Sequence, residues 1–127
     1  MSGMKTFLVI AALTASPAFA QAESAEDQLR TFDECAGRLS AMMEYQWMFD
    51  GPASETTKAQ RAAVLELIDA IMPPGRGPEV LNWRISAKLA QSALLTRATF
   101  NNDPNDAKWA AQRAANQLTD CTRFLLS

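Results

Sequence analysis

Histidine is absent from this chain of 127 residues, and that absence removes several chemistries at once. Ser-His and Cys-His nucleophilic catalysis need an imidazole base. Histidine-ligated zinc and copper, and the usual axial ligands of haem bundles, are excluded for the same reason. Cysteine is scarce, with only 2 residues, and neither belongs to a C-x-x-C-H haem attachment. No glycine-rich phosphate loop is formed by the 5 glycines. Charge of either sign never clusters: 12 Lys and Arg against 14 Asp and Glu leave a net charge of −2. A nucleic-acid partner asks for a grouped basic face and an anionic lipid surface for a polybasic stretch, and neither is present. With no catalytic constellation, no cofactor motif and no metal set, the chain reads as a non-enzyme.

The most specific signal lies at the start. Lys5 supplies a positive n-region, Phe7-Leu8-Val9-Ile10-Ala11-Ala12-Leu13 an apolar h-region, and Ala18-Phe19-Ala20 a small-x-small cleavage pattern after Pro17. The apolar run is too short for a permanent membrane helix. No Cys at the cut marks a lipoprotein, and no Arg-Arg pair marks the twin-arginine route. Residues 1–20 are therefore read as a cleavable Sec signal and residues 21–127 as a single helical domain. That domain is delivered to the periplasm with no stable membrane insertion after cleavage.

Export places Cys35 and Cys121 in an oxidising compartment, where an even cysteine count is expected to pair. An intramolecular bridge between them closes almost the whole mature chain, a constraint of about 4–5 kcal/mol in the loop-entropy description. An intermolecular disulfide and a reactive thiol are the rival readings.

Apolar residues in the mature chain recur at steps of three and four, with no strand-like alternation. Four helices are expected. The first, about Ala25 to Phe49, has a 4-3-4-3-4 seam of Ala25, Leu29, Phe32, Ala36, Leu39 and Met43, ended by Gly51-Pro52. The second, about Thr57 to Met72, is capped by Thr57 with Gln60, or by Ser54, and buries Val64, Leu67, Ile68 and Ile71. Pro73-Pro74 stops it. The third, about Glu79 to Phe100, follows Pro78 and presents Leu81, Ile85, Leu89, Ser92 and Thr96 inward, widened by Val80, Ala87, Leu94 and Ala98. The fourth starts at Asp103-Pro104, with a seam of Ala107, Ala111, Ala114, Leu118, Cys121 and Leu125.

Short connections make consecutive helices antiparallel. The fold class is accordingly all-α, an up-down-up-down four-helix bundle with helices one and four joined by the disulfide. Cys35 lies roughly 15 Å from the start of helix one and Cys121 roughly 9 Å from the chain end, so bridge and topology agree. The runner-up is an array of three long helices with helix two across them.

Several side-chain groups invite a functional reading. Asn101 to Asp106 resembles a calcium loop, but Asp106 stands where the turn needs glycine and Gln112 where it needs a bidentate glutamate, so capping accounts for the segment better. Asp33, Glu34, Glu44, Glu66 and Asp69 are carboxylates with no sequence sign of a raised pKa. Met42, Met43, Met48 and Met72 are spaced as core filler rather than as a copper(I) site.

Tyr45-Gln46-Trp47-Met48-Phe49 cannot all face one core, since successive helical residues turn by about 100°. With Phe100 and Trp109 they form either an apolar cap on the bundle end, the favoured reading, or a patch for a partner. Trp83 falls off the third helix's stripe, near Arg76 and Arg84, a pairing found both in surface cation–π contacts and at binding hot spots. If the protein carries an interaction surface, Arg76, Trp83 and Arg84 form its first candidate set, with Trp47 and Phe49 second. The expected function is a small exported, non-catalytic binding or accessory protein working through contacts with an envelope protein. The alternative is a carrier of a small apolar ligand inside the bundle, for which a cavity lined by Ala111, Ala114, Leu39 and Leu89 is the signature.

Overall fold

The computed structural model describes residues 3, 11, 12, 14 and 18–125, the stretch 18–24 as backbone alone. The leader assigned to residues 1–20 lies for the most part outside the described residues. Four α-helices follow one another: α1 (Ala18–Phe49), α2 (Gly51–Ile71), α3 (Gly77–Phe100) and α4 (Pro104–Thr122), with a closing 3-10 turn at Arg123–Leu125. Among the described residues no helix is long and apolar enough to cross a membrane.

The chain reverses at each connection. Arg61 of α2 reaches back to Ser40 of α1, Arg76 at the start of α3 reaches Glu26 near the start of α1, and Arg97 of α3 meets Asp106 of α4. The molecule is an antiparallel up-down-up-down four-helix bundle in which a disulfide between Cys35 and Cys121, with Cα atoms 5.3 Å apart, joins α1 to α4. Phe32 and Phe124 pack against each other at a tilt beside that bridge, with ring centroids 5.0 Å apart.

The helix starts explain two shifted boundaries. Gly51-Pro52 ends α1 as expected but opens α2 at once: Asp50 is its N-cap, accepting the Ala53 N–H, and Pro52 sits in the first turn where its missing N–H costs nothing. Thr57 and Ser54 are therefore not caps. Both are buried, and their hydroxyls donate to Ala53 and Gly51 carbonyls of their own helix. At the other end of α2, Pro73-Pro74-Gly75-Arg76 makes a turn with Gly75 at φ +79° and the Arg76 N–H donating to the Pro73 carbonyl. That is the type II pattern, proline first and glycine second. Asp103 caps α4 as its sequence implies, accepting the Asn105 and Asp106 N–H groups.

Helix α1 is the hub. It packs extensively on both α2 and α3, and more lightly on α4, which rests mainly on α3. Its expected seam is only part of what it buries: Leu29, Ala36 and Leu39 are buried, and so are Asp33, Cys35, Gly37, Ser40, Ala41 and Gln46, because α2 and α3 both pack along it. A methyl group on Gly37 would lie 2.3 Å from the Arg84 carbonyl oxygen and 3.2 Å from the Ala87 Cβ, so the two helices cross almost backbone to backbone.

That close crossing overturns the expected face of α3. Val80, Ala87, Gln91 and Leu95 face inward, while Leu81, Ile85 and Leu89 are 46 to 65% exposed. A crossing over glycine admits small side chains, and the bulkier leucine stripe is turned away. α4 is rotated in the same sense: Ala110, Ala114 and Cys121 are buried and Ala111 is exposed. On α2, Val64 and Ile68 are buried whereas Leu67 and Ile71 stay exposed.

Candidate functional site

The first candidate set is divided by the structure. Trp83 is half-buried, with the guanidiniums of Arg30 and Arg76 over its ring at 5.3 and 5.6 Å. Arg76 is committed further: it donates to both Glu26 carboxylate oxygens at 2.8 and 2.6 Å and to Glu79 at 2.8 Å. This pairing holds the Glu26 carboxyl below its usual range and raises the Arg76 guanidinium. Arg84 does not join them. Its side chain turns inward to Asp33, and Arg30, itself hydrogen-bonded to Glu34 at 2.9 Å, takes the place expected of it beside Trp83. The Arg76–Trp83 cluster is thus a clamp between the starts of α1 and α3.

The second candidate set is presented outward. Trp47, Met48, Phe49, Phe100 and Trp109 are each 51 to 70% exposed, and all stand at the end of the bundle where α1 and α3 finish and α2 and α4 begin. Tyr45 and Phe49 rings lie 4.7 Å apart, and Phe49 and Phe100 rings 6.3 Å apart. The Tyr45 hydroxyl and Thr99 Oγ1 share a hydrogen bond at 2.9 Å. Arg97 sits 5.1 Å from the Trp109 ring and pairs with Asp106 at 2.6 Å, which holds the Asp106 carboxyl below its usual range. These rings tie the ends of α1 and α3 together without covering them, so the apolar cap expected here is instead an open aromatic surface.

Asp33, one of the carboxylates the sequence offers, is the one whose burial the sequence did not reveal. Its carboxylate is fully buried; Arg84 reaches Oδ1 at 2.8 Å, and Oδ2 has no partner. Burial pushes the carboxyl above its ordinary value, opposed by Arg84. The other carboxylates singled out are dispersed. Glu34 lies between Arg30 and Arg38, Glu44 is paired with Lys88 at 2.5 Å, and Glu66 and Asp69 are exposed on α2. The oxygens of the Asn101–Asp106 segment are used in capping and in the Arg97 and Asn101 contacts of Asp106.

The cavity signature is also redistributed. Leu39 is buried in the core and Leu89 is exposed. Ala111 and Ala114 instead help line an open apolar groove of about 370 Å³ between α1, α3 and α4, together with Met42, Tyr45, Leu95 and Leu118.

Fold and site together define a disulfide-bridged four-helix bundle with an exposed aromatic end. Compared with known proteins, the chain matches no family model, no curated protein and no solved structure.

Proposed function

We propose that this chain is an exported protein of the bacterial periplasm that acts without catalysis, by holding an envelope protein against the aromatic end of its bundle. The observation that carries the reading is the group of exposed large apolar side chains there, Trp47, Met48, Phe49, Phe100 and Trp109. Aromatic side chains presented together to solvent are the composition of interface cores and hot spots. The Cys35–Cys121 bridge and the Lys5–Ala20 leader support export.

The test is site-specific photo-crosslinking at Trp47 and Trp109 in the producing cell, with a Phe49→Ser variant as control. A discrete adduct at both positions that weakens on Phe49→Ser is expected. Chain-length product alone at both positions would overturn the reading.

A second reading, a carrier of a small apolar ligand, is favoured by the groove between α1, α3 and α4. Native mass spectrometry separates the two. A small mass lost on denaturation and abolished by Ala111→Trp supports the carrier, and a bare chain supports the accessory protein.

A further inference from the structure

We propose that the outward face of α3 pairs with the same face of a second copy of this chain, antiparallel, about a two-fold axis beside Leu89. Leu81, Ile85 and Leu89 recur every four residues and are about half exposed or more, and Asn82, Ser86, Ala90, Ala93 and Thr96 around them are exposed and uncharged. The two charges within this stretch are drawn onto α1, Arg84 by Asp33 and Lys88 by Glu44. An uncharged, leucine-lined helix face is the seam a second helix packs into.

The charges at its two ends select the occupant. Glu79 and Arg97, which pair within the chain with Arg76 and Asp106, lie about five helical turns apart and therefore on one azimuth; their side chains stay about half exposed, 54% and 48%, and so open to a second partner. Reversing one copy against another about Leu89 brings Glu79 to within two residues, about 3 Å along the helix, of the other copy's Arg97, twice. A parallel pair would set like against like. The face is thus complementary to itself in the antiparallel sense, as a two-fold interface requires. With Leu89 on the axis, Ile85 of each copy opposes the small Ala93 of the other, so large side chains meet small ones.

A single helix face of this length, about 36 Å by about 10 Å, buries less than the roughly 800 Å² per partner of a standard stable interface. The pairing is therefore weak and concentration-dependent. Its centre, Leu89, is apart from Trp47 and Trp109, while Arg97 at its edge also lies over the Trp109 ring; Leu89→Glu and Phe49→Ser therefore test the two surfaces separately.

The experiment is sedimentation velocity on the oxidised mature chain across a wide concentration series, beside Leu89→Glu and Leu89→Cys. Wild type is expected to move from monomer toward dimer, and Leu89→Glu to raise the dissociation constant about tenfold or more with an unchanged helical spectrum. Leu89→Cys should form a covalent dimer on mild oxidation, whereas Leu81→Cys should not, its two copies lying about 24 Å apart along the axis. A monomer at every concentration, or equal crosslinking at both positions, would overturn the pairing; the first result would leave the face to a different partner.

Discussion

Asp33 and Arg84 meet at 2.8 Å across the crossing of α1 and α3, the carboxylate wholly buried and the guanidinium a quarter exposed. Removing one member of a buried ion pair strands the other, at a cost of roughly 3–5 kcal/mol, whereas replacing both is far less damaging. Since Arg84 retains some solvent, Arg84→Met should fall near the lower end of that range at neutral pH. Combined with Asp33→Asn it should recover much of the loss. Urea denaturation of the single and double variants checks both statements, and equal midpoints for the two would contradict the coupling.

The same carboxylate sets a pH dependence. Its folded-state value is raised, so the folded chain holds this proton more tightly than the unfolded chain does. Its contribution to stability is then full below the ordinary carboxyl range and is lost as pH rises through the raised value. Glu26 and Asp106, held below their ordinary values by Arg76 and Arg97, work in the opposite direction. Their pairs are exposed, so their effect is small. Between about pH 7 and about pH 3, wild type should gain stability relative to Asp33→Asn as acid is added. A constant gap between their denaturation midpoints would show that Asp33 titrates as an ordinary carboxyl.

Gly37 controls the distance between the same two helices. Glycine to alanine inside a helix ordinarily gains about 1 kcal/mol. Here the new methyl would meet the Arg84 carbonyl at 2.3 Å and the Lys88 nitrogen at 3.0 Å, both of them backbone and unable to rotate away. Overpacking of about 1–3 kcal/mol should outweigh the gain, so Gly37→Ala is expected to lower the thermal midpoint. Gly51→Ala, where nothing lies within 4 Å, serves as the control.

Two leucines separate the inner and outer faces of the bundle. Leu39 is 1% exposed and Leu89 is 65% exposed. Truncating Leu39 to alanine should cost about 2–5 kcal/mol through the cavity left behind. The same change at Leu89 should stay within about 0.5 kcal/mol at concentrations where the chain is monomeric. Denaturant midpoints of both variants measure the contrast directly.

Reduction of the Cys35–Cys121 bridge, or its replacement by paired alanines, should lower stability by about 4–5 kcal/mol. Calorimetry with and without reductant reads this as a drop in the unfolding temperature.

Helix number, order, direction and the bridge were legible in the sequence, because prolines, a capping Asp103 and a three-four apolar rhythm are local signals. The orientation of α3 was not. Hydrophobic periodicity favours the bulkiest stripe, Leu81–Ile85–Leu89, but the inner face was decided by a partner residue, Gly37, whose close approach selects Ala87 instead. The burial of Asp33 was hidden for the same reason, since α1 carries neighbours on both sides and one seam cannot describe it. Of the candidate surfaces, Trp47 and Phe49 were placed by a simple argument about angular crowding. The diversion of Arg84 from Trp83 to Asp33 depended on tertiary contacts that no spacing encodes.

The bridge also alters what a cut can do to this molecule. Cys35 lies before the Pro73–Arg76 turn and Cys121 after it, so peptide and disulfide together form a closed ring with a tail at each end. A protease that severs the exposed turn at Gly75 opens the ring but frees neither half. The helical hairpins on each side remain one covalent particle, and a nick at this site converts one chain into two without releasing a fragment into the surrounding compartment.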